Sequence, residues 1–309
     1  MVKTLTKKPK KPRSRLLRKE ARAAYVYLIP AMIGLIVLTY VPLIAVFGLS
    51  FFKWSGTGTP EWVGLANYVR LFTTDPYFVE SIKVTVYFAF LSVICSVIYS
   101  LVIAMLLNRK IPARGFFRAL FYLPYVLPAA AVYIGWSWLY NTEWGLFNYI
   151  LSRLGIERLM FVSGSSQVVP SLALIAVWLS GNLIVTFLAG LQNVPRVYHE
   201  AAEIDGANAW QRFWHVTFPS MTPIIFYNML TSLITNLQVV TPALALTKGG
   251  PGKSSYFISY MLYNYAFKQR GKLGLACAIA FALFLLIGIF TLILFASSKK
   301  WVYYEGGDK

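Results

Sequence analysis

The chain has 309 residues, 58% hydrophobic, 17% aromatic and only 13% charged. A soluble domain carries roughly 25% charged residues, so the apolar excess, with a mean hydropathy of +0.60, has to face lipid. The net charge of +18 does not indicate a nucleic-acid binder: ten basic residues lie within Met1–Arg22 beside one acid, most others flank apolar runs, and no RNA-binding motif follows.

Residues 1–22 read as a disordered, basic cytoplasmic tail; such a tail marks a cytoplasmic flank or an anionic-lipid contact. The apolar run after Arg22 is too long for a signal-peptide core and has no small-x-small cleavage site, so it reads as an uncleaved first span. A membrane helix needs about 20 apolar residues. Six segments qualify: Ala24–Phe47, Ile82–Leu107, Ala119–Tyr140, Val168–Gly190, Pro223–Leu246 and Leu273–Ala296. The fifth is the most polar, with Asn228, Ser232, Thr235, Asn236 and Gln238. The expected fold is an all-α integral membrane protein of six transmembrane helices, one domain over 23–298 with a short tail, 299–309. With the N-terminus in the cytoplasm, 19 Lys and Arg lie on that side and 10 outside, which satisfies the positive-inside rule and places both termini in the cytoplasm. The five basic residues of Lys248–Lys272 run against the trend. Outside, Phe52–Ser81 is aromatic and turn-rich, Asn141–Gln167 holds a short surface helix over Leu146–Leu154, and Gly249-Gly250-Pro251-Gly252 cannot continue a helix. Cys95 and Cys277 lie in apolar runs and read as small buried hydrophobes, not as metal ligands or a disulfide.

The sequence has no GxxxxGK[ST] loop to cradle ATP, and no HExxH, CxxC or GxSxG. No ionisable pair lies inside the spans to drive an ion-coupled carrier. If this chain moves a solute, a partner has to supply the energy. The polar segment 196–220 is where a partner would act. Tyr198–Ile204 reads as one or two helical turns, with Arg196 to Glu200 and His199 to Glu203 at i,i+4 spacing. Asp205-Gly206 signals a turn, and Asp205 or Asn208 can cap a second helix through Trp214. On it Trp210, Phe213 and Trp214 share one face, suited either to a groove on a partner or to the headgroup layer.

Glu200-Ala201-Ala202, three residues, Gly206, nine residues, Val216, then Phe218-Pro219 resembles the EAA motif of bacterial ABC importer permeases. Phe218 stands where the motif usually has Leu. Trp62-Val63-Gly64-Leu65-Ala66-Asn67-Tyr68, Asp75-Pro76, Leu123-Pro124-Tyr125-Val126-Leu127-Pro128 and Leu246-Thr247-Lys248-Gly249-Gly250-Pro251-Gly252 are similar to the binding-protein-dependent sugar branch, of the maltose, glycerol-phosphate and multiple-sugar type. The resemblance spans nearly all of Ala24–Ser298. It implies a multi-pass subunit of the bacterial cytoplasmic (inner) membrane with the type I importer fold. It also implies a second homologous permease as a heterodimer partner, two ATPase subunits that bind ATP and Mg²⁺, and an extracytoplasmic sugar-binding protein. No catalytic residue, cofactor or metal is then expected in this chain. Glu200, Ala201, Ala202, Asp205, Gly206 and Ala207 would couple to an ATPase, Glu200 by charge and Gly206 by permitting positive φ. The span after the motif would line the path, with Asn236 aligned to a sugar-contacting asparagine and Ser232, Gln238 and Asn182 as further candidates. Neutral amides suit sugar hydroxyls because they both donate and accept; hydrogen bonding between helices is the alternative for the same residues. The expected function is the permease half of an ATP-driven carbohydrate (di- or oligosaccharide) importer. Rival readings are a secondary carrier without an ATPase, a membrane scaffold, and an ABC permease for a sugar phosphate or other small solute, since the outer loops are basic.

Overall fold

The computed structural model describes residues 15–269 and 271–303. Helix α1 (Arg15–Leu35) passes through a π turn, Ile36–Tyr40, into α2 (Val41–Leu49). Helix therefore begins inside the segment expected as a disordered tail, because Arg15–Leu28 contains no Pro or Gly to stop it; residues 1–14 lie outside the described residues. A two-residue hairpin follows, β1 (Phe52–Lys53) against β2 (Glu61–Trp62), with Phe52 opposite Trp62. It is held by buried Asn67 on α3 (Ala66–Val69), whose Nδ2 donates to the carbonyls of Ser50 (2.8 Å) and Phe52 (2.9 Å). Asp75 then starts α4 (Phe78–Asn108): its Oδ1 accepts from the N–H groups of Tyr77 and Phe78 at 2.9 and 3.1 Å.

After α4 come α5 (Arg114–Val126), α6 (Ala129–Leu139), α7 (Leu146–Arg153), α8 (Val168–Trp178) and α9 (Gly181–Asn193). The polar segment holds α10 (Arg196–Ile204) and α11 (Ala209–Arg212). The chain ends in α12 (Phe218–Leu237), α13 (Ile258–Tyr263) and α14 (Leu273–Trp301). Helix α7 lies where the surface helix was expected.

Arg22–Leu49, α4 and α14 are each long and apolar enough to cross a membrane; α5 with α6 and α8 with α9 qualify only as bent pairs. The third expected span, Ala119–Tyr140, is thus not one helix. It turns by 98° at Leu127, held extended (φ −68°, ψ 145°) by the clash of a helical conformation with the ring of Pro128. The fourth bends by 48° at Leu179–Ser180. There the Ser180 hydroxyl folds back on the Val177 carbonyl at 2.6 Å and meets Ser100 Oγ at 2.9 Å. The fifth, expected over Pro223–Leu246, begins earlier and breaks: α12 stops at Leu237, Val239 and Val240 are non-helical, and a π turn resumes at Ala243–Thr247. Pro242 cannot donate into a continuing helix.

Helix α4 is the central post. Its first half joins a core around Phe88, Leu172, Phe257 and Ile258, and its second half a core around Leu183, Phe187, Leu188 and Met221. The stripe Ser92, Ser96, Ser100 and Ala104 is buried, and small side chains at i,i+4 let helices approach closely without bulk between them. Of the two cysteines only Cys277 is buried; Cys95 lies exposed on α4, on the face that turns from the core.

Candidate functional site

Two features stand apart from packing: the polar helix–turn–helix and a cavity among the spans. In the first, Pro195 starts α10, and the helix closes with a Schellman motif. The Gly206 N–H donates to the Glu203 carbonyl at 3.0 Å and the Ala207 N–H to the Ala202 carbonyl at 2.9 Å. Gly206 takes φ +77°, with nothing near the place of a Cβ. Asn208, not Asp205, caps α11. Its Oδ1 accepts from the Gln211 N–H (2.9 Å), and Gln211 Oε1 accepts from the Asn208 N–H (2.8 Å), a reciprocal box.

The expected i,i+4 pairs on α10 do not close. Glu203 pairs instead with Arg212 across the turn, binding the two helices together. Glu200 is exposed, and among the described residues no ion pair holds it. Val197 (67% exposed) and Ile204 (87%) flank Ala201 at i, i+4, i+7 and form an uncovered apolar face beside Glu200. That face was missed in the sequence, though the spacing of Val197, Ala201 and Ile204 carried it. A cleft of about 280 Å³ in the same helix–turn–helix is lined by Ala202, Asp205, Gly206, Ala207, Arg212 and His215. The aromatic rings form a ladder, with Trp210 to Trp214 at 5.7 Å and Trp214 to Phe218 at 5.1 Å, that runs straight into α12.

The second feature is a cavity of about 430 Å³ on which all three helix breaks converge: Tyr125, Leu127 and Ala129 from the first, Leu179, Ser180 and Asn182 from the second, Gln238 to Pro242 from the third. Non-helical backbone at membrane depth is tolerated where it lines a wet cavity, which supplies its missing hydrogen bonds. Asn182, Ser232, Asn236 and Gln238, four separate candidates in the sequence, all line it, together with Thr231, Thr235, Tyr133 and Phe88. Asn236 Nδ2 donates to the Ser232 carbonyl at 2.8 Å and lies 3.2 Å from its Oγ; since a carbonyl only accepts, this fixes the amide orientation and leaves Asn236 Oδ1 to the cavity. The helix–helix alternative applies instead to buried Asn228, whose Nδ2 reaches the Leu183 carbonyl at 3.5 Å.

Residues 96–302 match the family model described as "Binding-protein-dependent transport system inner membrane component". The chain belongs to this family. It is therefore a membrane permease component of a binding-protein-dependent transport system, all-α and multi-pass. The permease is 35% identical over 301 residues to the probable ABC transporter permease protein YesP of Bacillus subtilis, covering 96% of this chain and 97% of that one. It is 32% identical to the trehalose/maltose transport system permease protein MalF of Thermococcus litoralis, over 91% and 95% of the two chains. A bacterial ABC transporter involved in the import of the acidic polysaccharide alginate shares the fold, with a TM-score of 0.78 over 93% of this permease and 99% of that chain at 22% identity. The EAA segment and the cavity-lining residues of α8, α9 and α12 all fall inside the family match; Phe88 on α4 precedes it.

Proposed function

We propose that this permease forms half of the translocation path of an ATP-driven carbohydrate importer, crossing a bacterial inner membrane six times with both termini in the cytoplasm. α12 with its broken continuation is then the fifth crossing. A second, homologous permease supplies the other half of the path, and a sugar-binding protein delivers the substrate from outside. ATP and Mg²⁺ bind two ATPase subunits below, so this chain catalyses nothing itself. The observation that carries the reading is the helix–turn–helix Arg196–Thr217. A membrane permease presents there a rigid, capped structure whose apolar face and carboxylate, Glu200, are left exposed by the described residues. Docked in an ATPase groove, Val197, Ala201 and Ile204 would be buried and Glu200 paired, while Asp205, Gly206 and Ala207 shape the turn. The aromatic ladder, continuous with α12, sits at headgroup level and fixes the height of the turn.

Glu200→Lys reverses the charge at the docking face, and Gly206→Pro demands φ near −65° where the turn needs +77°. Both variants are expected to assemble with the ATPase yet lose at least tenfold in transport and in substrate-stimulated ATP hydrolysis. Unchanged transport in both would overturn the coupling role. Ion-driven uptake by the chain alone in liposomes would establish the secondary carrier instead.

A further inference from the structure

The family leaves the charge of the cargo open. One relative is named for trehalose and maltose, and a structural neighbour serves an acidic polysaccharide. Because this chain's outer loops are basic, the sequence leaves anionic sugars in play. The cavity is more specific than the loops. None of its lining residues is charged. No Lys, Arg or His lies between Lys83 and Arg109, between Arg118 and Arg153, between Arg158 and Arg196, or between His215 and Lys248. Every stretch that lines the cavity falls inside one of these intervals. A carboxylate, sulfate or phosphate entering here would shed water with no cation from this chain to replace it, an arrangement proteins avoid.

What the cavity offers instead is neutral and unpaired. Among the described residues the amides of Asn182 and Gln238 have no side-chain partner, and Asn236 Oδ1 is likewise unused. Together they present both donors and acceptors, the pattern that hydroxyls require. Tyr125, half exposed, offers a ring face alongside. The first turns of α6 and α9 also reach the cavity, at Ala129 and Asn182, and helix N-termini favour negative partners. Hydroxyl oxygens can accept from the same amides, though more weakly than an anion would, and neither terminus is reinforced by a cationic side chain among the cavity's lining residues.

We propose that this permease carries uncharged saccharides and rejects anionic ones, with Asn182, Asn236 and Gln238 holding hydroxyls in the cavity. This rests on the carbohydrate reading above and adds the charge class of the substrate. The test uses cells that make the whole importer, with and without this chain. They are fed a mixture of neutral di- to tetrasaccharides from starch, cellulose and xylan together with acidic ones from polygalacturonate and alginate, and depletion from the medium is followed by mass spectrometry. Chain-dependent uptake of neutral members only is expected. Asn182→Ala and Gln238→Ala should each lower it at least tenfold while the chain remains in the membrane by immunoblot, and Gln238→Lys should raise the ratio of acidic to neutral uptake. Chain-dependent uptake of an acidic member would overturn the charge assignment and leave the carbohydrate reading standing. No chain-dependent uptake of any saccharide would overturn both. Unaltered neutral uptake in both alanine variants would remove the amides from the site.

Discussion

Asp75 shows how much one side chain can organise. One carboxylate oxygen accepts from the first amides of α4, and the other accepts from the Tyr265 hydroxyl at 2.5 Å, joining segments 190 residues apart. Burial first, then the Asp75 charge and hydrogen bond, push the Tyr265 phenol upward from its ordinary value. A phenol whose folded value is raised contributes stability in full below the unfolded value of about 10 and loses it as the pH climbs through the raised value. Protection of the amides of 264–268 from hydrogen exchange should therefore be level from neutral pH to about 10 and decline above it. Tyr265→Phe should cost about 1.5 kcal/mol locally, the low end for a hydrogen bond to a charged group, since Asp75 is partly exposed. Equal protection in the variant would show that the bond adds nothing. The same economy appears at Asn208, where one amide and Gln211 satisfy two orphan amides of α11.

Among elements, the decisive contacts are those where a helix break meets a neighbour's backbone. Gly181 opens α9 directly after the bend, against α5. A Cβ there would sit 2.8 Å from the Phe121 carbonyl oxygen and 3.0 Å from Tyr122 Cα. Backbone cannot rotate away as a side chain can. Gly181→Ala should therefore destabilise the permease by about 1–3 kcal/mol, read as a lower thermal midpoint of the detergent-solubilised protein. Gly115→Ala, with open space at the Cβ, is the control and should leave the midpoint near its original value. A midpoint unchanged by Gly181→Ala would mean that α5 and α9 are not held at this distance. The breaks themselves trace to local chemistry: Pro128 after Leu127, the Ser180 hydroxyl at its bend, Pro242 beyond Val240. Those signals were present in the sequence, but each helix looked continuous because apolar runs read the same whether straight or bent.

At the scale of the molecule, a span of 28 residues, Arg22–Leu49, buries none of its most apolar window against the rest of the chain. Such a surface belongs against lipid or another protein. The orientation assigned from the basic residues has a direct test. In a background lacking Cys95 and Cys277, a cysteine at exposed Ile204 should react with a membrane-impermeant maleimide only from the cytoplasmic side, and one at exposed Trp144 only from outside. The reverse pattern would invert the permease. Length and apolarity were enough to give an all-α membrane protein and its polar turn, because hydropathy and a tight turn are local properties written in consecutive residues; the permease came from the resemblance of Glu200–Pro219 to the EAA motif. Asn182, Ser232, Asn236 and Gln238 could be named one by one, yet their shared cavity and the pairing of Glu203 with Arg212 rather than His199 came only with the tertiary structure. A cavity forms where separate helices break at the same depth, and that coincidence depends on how α4 packs α8, α9 and α12 around itself rather than on any one stretch of chain.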